Sequence, residues 1–128
     1  MMDVETLAST TYSRVPGARL AGVVDMTTGM FVAVEAGNLL QQELDMLAVS
    51  AREVFAGGMA EGLRRSFIEE NDQQQLKEVI VVGDKTVFVI CRATHLEDTA
   101  IVVACDRSEH LGMITMTLAK IRDSAGKS

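Results

Sequence analysis

Few residues in this chain are of types and spacings that could do chemistry. Gly126-Lys127-Ser128 copies the end of a phosphate-binding loop. The full motif needs a second glycine five positions earlier, where Ile121 stands, so the cradle of backbone N–H groups is not encoded. His95 falls in an expected turn and His110 in the first turn of an expected helix. Neither has a histidine or cysteine partner at ligand spacing, and a zinc site wants three or four ligands. Both read as surface histidines. Glu69, Glu70 and Asp72 cluster ahead of a strand. Paired catalytic carboxylates need a cleft that separates their pKa values, and a solvated connector is the simpler account. Arg64-Arg65 could offer a guanidinium to a phosphate, but basic residues in a last helical turn answer the helix dipole without any partner. No Gly-x-Gly-x-x-Gly and no Gly-x-Ser-x-Gly occurs. No catalytic, cofactor-binding or metal-ligating residue is assigned, and an enzyme is not expected.

Composition narrows the classes further. The chain has 128 residues, 48% hydrophobic and 23% charged, with a net charge of −6 and a pI near 4.8. That length suits one domain with a real core. The acidity disfavours nucleic acid and anionic membrane, which reward basic patches. One Tyr and no Trp leave no stacking platform for bases. No apolar run approaches the ~18 residues of a membrane span, and Asp3 and Glu5 stand where a basic leader would begin. The expected location is the cytoplasm, with Cys91 and Cys105 as reduced thiols. A hairpin turning at Thr94–Glu97 would set Cys91 opposite Ala100, away from Cys105, which disfavours a disulfide.

The elements are organised around Leu76–Asp106, which reads as three strands: Leu76–Val82, Thr86–Arg92 and Thr99–Cys105, broken by Gly83-Asp84-Lys85 and Thr94–Asp98. Connections this short make antiparallel neighbours. Val87, Val89 and Cys91 take one face, Phe88 and Ile90 the other. Apolar residues of both parities mean that both faces need cover. Asp3–Ser13 reads as a capped helix with Val4, Leu7, Ala8 and Thr11 on one side, ended by Pro16-Gly17. Ala18–Asp25 and Met30–Val34 make a hairpin through Gly29. Leu39–Ile68 reads as one long amphipathic helix. Its inner stripe is Leu40, Leu44, Leu47, Ala51, Val54, Phe55, Gly58 and Gly62, and the period runs through Gly57-Gly58. The glycines could bend or break it, but the unbroken period favours a continuous helix with close approach at the small residues. Glu69–Gln75 is a polar connector. Asp106 and Glu109 form a capping box for a last helix with Leu111, Ile114, Leu118 and Ile121 on its inner face, before a polar tail at Asp123–Ser128. The eight methionines read as core fillers. The order αββαβββα predicts an α+β, three-layer α/β/α sandwich. A five-stranded antiparallel sheet has the long helix on one face and the two terminal helices on the other.

Val15-Pro16-Gly17-Ala18 leading into Gly22-Val23-Val24-Asp25, the Thr28-Gly29-Met30 turn, the meander of the Leu76–Val82 strand, the Gly83-Asp84-Lys85 turn and the following two strands, and Leu111-Gly112-Met113-Ile114 together resemble the roadblock (dynein light-chain-like) family, in its bacterial or archaeal type. The likeness rests on order and spacing over about Val4 to Arg122. It implies a single, non-enzymatic domain, a homodimer or a heterodimer with a paralogue, and a Ras-like small GTPase as partner for regulation or scaffolding. In the family's strand order Lys77, Val79 and Val81 lie on an edge strand that would pair with its equivalent, with Val54, Phe55 and Gly62 contributing from the helix. Arg52, Glu53, Glu61, Arg64 and Arg65 are the candidate partner-binding surface. The alternatives are a small-ligand sensor domain, whose pocket residues the sequence does not name, and a nucleotide-indifferent motor or scaffold light chain.

Overall fold

The computed structural model describes residues 3–67 and 76–125. The elements run α1 (Val4–Arg14), β1 (Ala18–Asp25), β2 (Met30–Ala36), α2 (Gln41–Ala56), α3 (Gly58–Phe67), β3 (Glu78–Val82), β4 (Thr86–Arg92), β5 (Thr99–Asp106) and α4 (Leu111–Ser124). One antiparallel sheet holds all five strands in the order β2-β1-β5-β4-β3. The expected α/β/α sandwich is therefore present. The acidic cluster Glu69, Glu70 and Asp72, the connector around it and the Gly126-Lys127-Ser128 stretch lie outside the described residues.

Each face of the sheet carries its own core. On one, Ala21, Val23, Val87, Val89, Cys91, Ile101, Val103 and Cys105 pack with Leu7 and Ala8 of α1 and Ile114, Leu118 and Ile121 of α4. On the other, Leu20, Val24, Ile90, Ala100, Val102 and Ala104 pack with Ala48, Ala51 and Phe55 of α2. The alternation of parity along β4 and β5 produces this division directly, because successive side chains leave a strand on opposite faces.

Local chemistry accounts for most boundaries. The Asp3 carboxylate accepts the Thr6 N–H at 2.7 Å and starts α1. Gly29 holds φ +72° in the β1–β2 turn, a conformation glycine adopts without steric cost.

Four expectations are corrected. The long helix breaks in two at Gly57. Its N–H still reaches the Glu53 carbonyl at 2.7 Å, but φ −84° and ψ −175° then turn the chain out of the helix. A Cβ at Gly57 would stand 2.6 Å from the Glu53 carbonyl oxygen, so the break uses glycine's lack of a side chain. Among the described residues nothing would stand within 4 Å of a Cβ at Gly58 or Gly62, so neither serves close approach to the described part of the chain. The cap of α4 is His110, whose Nδ1 accepts the Met113 N–H at 3.3 Å. Asp106 instead ends β5 and accepts from the Ser108 N–H and hydroxyl at 3.2 and 3.0 Å, a local turn that outcompetes the capping box. Cys91 faces Ile101, and Arg92 faces Ala100. The β4–β5 connection absorbs one more residue than expected through Asp98 at φ +49°. Finally, the methionines are not mostly core: Met30, Met46, Met59, Met113 and Met116 are exposed.

Candidate functional site

The β3 strand and the outer side of α2 and α3 carry the residues singled out in the sequence. Among the described residues β3 lies at the sheet edge, bonded to β4 alone. Val79 packs partly against the α2-side core, beside Ile90. Ile80, Val81 and Val82 are 40%, 46% and 52% exposed. Ile80 and Val82 point to the α1/α4 side and Val81 to the α2 side, as their partners Val89, Val87 and Phe88 do. Lys77 precedes the strand and accepts the Arg92 N–H at its carbonyl, 2.9 Å away. The opposite edge differs. β2 is irregular between its pairings with Val23 and Val24, where Val32 is skipped. A bulge of that kind blunts an edge. β3 pairs in unbroken register over all five residues, with no proline and no charge after Glu78.

Of the other expected dimer residues, Val54 is half-buried and Gly62 is exposed on α3. Phe55 is 2% exposed, inside the chain's own core. Arg92 explains its setting: the guanidinium lies 4.8 Å from the Phe55 ring centroid, and its Nε donates to the Leu76 carbonyl at 3.0 Å. Burial, and then the nearby Arg64 charge, hold the Arg92 pKa below its ordinary value.

The five charged candidates divide. Glu61 and Arg65 pair at 3.0 Å, and Arg64 reaches Glu61 at 3.9 Å. Arg64 also donates to the Phe55 carbonyl at 3.4 Å, tying α3 back to α2 across the break. Arg52 lies instead against Gly29 of the β1–β2 turn, and Glu53 against Gly57. Glu61, Arg64 and Arg65 thus form one cluster, and Arg52 stands apart from it. The sequence reading missed the apolar part of this helix surface. Met46 and Met59 are 66% and 59% exposed, and Val49 and Leu63 join them. Their types were visible, but the stripe read from Leu40 to Gly62 left these positions unassigned.

Among the described residues no group of three or more His, Cys, Asp or Glu could hold a metal ion. No helix among them is long and apolar enough to cross a membrane. Cys91 and Cys105 are free and buried. Burial pushes their pKa values up to about 12 and about 11, which keeps them as thiols rather than nucleophilic thiolates.

A second concavity had no signal in the sequence. A cleft of about 610 Å³ opens between the start of β1, the loop before α2 and the start of β4. Leu20, Ala104 and Phe88 form a cross-strand row beneath it, and Arg19, Asn38 and Glu43 line it from separate segments.

No family model matches the chain, and no curated protein does. Solved structures do match in fold. A roadblock/LC7 domain from Streptomyces avermitilis is 20% identical over 95% of this chain and 93% of its own, with a TM-score of 0.75. MglB of Myxococcus xanthus is 18% identical over 97% and 92%, with a TM-score of 0.76. A structure of MglB in a tetrameric arrangement is 19% identical over 94% and 82%, with a TM-score of 0.74.

Proposed function

We propose that this chain, which has the fold of roadblock domains, is a non-enzymatic dimeric interaction module that regulates or scaffolds a Ras-like small GTPase. The carrying observation is the contrast between the two sheet edges. β2 is blunted by its irregularity, whereas β3 presents Ile80, Val81 and Val82 on a regular edge that no other described strand pairs. An exposed apolar edge is an aggregation hazard unless it is covered. Pairing with a second β3 about a two-fold axis covers it and closes the assembly. Val79 and Lys77 would flank that seam, and Val54 and Gly62 would approach it from the helix side. Phe55 stays in each chain's own core. One structural relative is seen in a tetrameric arrangement, which is in keeping with self-association of this chain.

Dimerisation would set two α2–α3 surfaces side by side. Each offers the exposed Met59 and Leu63 on α3 with the Glu61, Arg64 and Arg65 cluster, and Met46 on α2. An apolar centre with a charged margin is the usual anatomy of a protein interface. Methionine adapts its shape to a partner. The GTPase as partner follows from the roadblock resemblance. A regulator must bind one nucleotide state better than the other, because only differential affinity shifts a switch.

Val81→Lys is the direct test. It adds like charges across a two-fold seam but leaves the single chain's core intact. Analytical ultracentrifugation should report a dimer for the parent and a folded monomer for the variant. A parent that is monomeric at micromolar concentration, or a variant that still dimerises, rules the β3 seam out. Binding to Ras-like GTPases loaded with GDP or a non-hydrolysable GTP analogue then separates the roles. Preference for one state marks a regulator, equal binding a scaffold, and no binding removes the GTPase reading.

A further inference from the structure

A short helix that buries little of itself is marginal in water. α3 has ten residues, and of its described side chains Ala60 alone is buried. Met59 and Leu63, one turn apart, are 59% and 39% exposed and share one face. Arg64 anchors the helix by donating to the Phe55 carbonyl at 3.4 Å. It comes close enough to Arg92 to depress the Arg92 pKa, and Arg92 donates to the Leu76 carbonyl at 3.0 Å. α3 therefore lies toward the start of β3, on the α2 side of the sheet.

The 610 Å³ cleft opens at the other end of that side. Leu39, 42% exposed, and the half-buried Leu47 and Phe88 give it apolar surface. Phe88 stands opposite Val81, near the end of β3. The 16 residues of α2 span about 24 Å between the cleft and α3, so a chain's own α3 does not reach its own cleft. A second copy's does. Two β3 strands pair antiparallel about a two-fold axis normal to the sheet, which keeps both α2 layers on one side. The start of one β3 then lies beside the end of the other, and α3 of one chain beside Phe88 of the next. Charge agrees with this arrangement. The first turns of α2 carry Glu43 and Asp45 and no basic residue, whereas the last turn of α3 carries Arg64 and Arg65.

We propose that α3 of each protomer seats Met59 and Leu63 against Leu39, Leu47 and Phe88 of the partner subunit, with Arg65 toward the partner's Glu43. Each cleft is then completed by the other chain, and Met46 of α2 stays exposed for a further protein. This inference rests on the β3 seam.

Cross-linking tests it. Leu39→Cys and Leu63→Cys proteins are mixed, left to exchange subunits and treated with a short bismaleimide at neutral pH, where Cys91 and Cys105 are shielded by burial. Cross-linked dimer should form in the mixture, and not in either protein alone or in the parent. In sedimentation, Leu63→Asp should weaken the dimer at least about ten-fold while its circular dichroism matches the parent. Arg65→Glu should weaken it about five-fold, and adding Glu43→Lys to the same chain should restore it. A dimer that Val81→Lys abolishes, but that neither cross-links in the mixture nor responds to Leu63→Asp, overturns the α3 contact and leaves the seam standing. A parent that is monomeric at micromolar concentration overturns the seam, and the α3 contact with it. Failure of Glu43→Lys to rescue Arg65→Glu removes that ion pair from the contact.

Discussion

Single side chains here act mainly through what burial does to them. Cys91 and Cys105 sit on the α1/α4 side of the sheet, and desolvation is the first cause of their raised pKa values, with Glu109 adding to it at Cys105. A folded value above the unfolded one means the native state holds its proton more tightly. The stability tied to these thiols is whole below the ordinary value of 9.0 and is lost as pH rises toward about 11 and about 12. At neutral pH a thiol-specific reagent should label neither cysteine in the native protein and both in denaturant. Rapid labelling without denaturant would contradict the packing. Asp3 and Asp106 run the other way. Thr6 and Ser108 hydrogen bonds lower their values, so their contribution is present above 3.8 and disappears in acid. The Asp3 cap was legible because donor and acceptor lie three residues apart. The cleft between β1, the loop before α2 and β4 was not, because its lining comes from positions 19, 38, 43 and 88, which only the folded sheet brings together.

At the scale of elements, the sheet was readable and the long helix was not. Short β-branched runs between turns mark β1, β4 and β5 to within a residue. The apolar stripe from Leu40 to Gly62 kept helical period straight across Gly57, and periodicity alone does not register a backbone break. The three glycines of this region should therefore respond differently. Gly57→Ala places a methyl against the Glu53 carbonyl and should cost about 1–3 kcal/mol. Gly62→Ala lies in the interior of α3, where no described residue would meet the new methyl. It should stabilise the single chain by about 0.5–1 kcal/mol. Gly58 has equal room but begins α3, so its gain should be smaller. Urea titration of the three variants checks the signs, and a destabilised Gly62→Ala would show that the position is crowded in the assembled protein. The α4 cap was misassigned because the Asp106 carboxylate is taken by Ser108 and the Glu109 N–H goes to the Asp106 carbonyl at 3.1 Å.

The whole molecule is two pieces joined at one seam. The β1–β2 hairpin and the β3–β4–β5 meander meet only through β1 and β5, and the register from Ala18↔Cys105 to Asp25↔Thr99 joins the chain's beginning to its end. Both cores straddle that seam. This arrangement sets the order of events during synthesis. Until β5 has left the ribosome, β1 shows an unpaired edge and Leu20, Val23 and Val24 have no partners from the far side. Closing so long a loop must precede most of the reward. The domain should therefore refold over milliseconds to seconds rather than microseconds. Stopped-flow refolding measures this, and Val102→Ala, in the middle of the seam, should slow refolding more than Leu7→Ala in α1 if seam closure limits the rate. A nascent chain stalled before Thr99 lacks the strand that joins the two half-sheets, and should be cleaved by protease faster than the full chain.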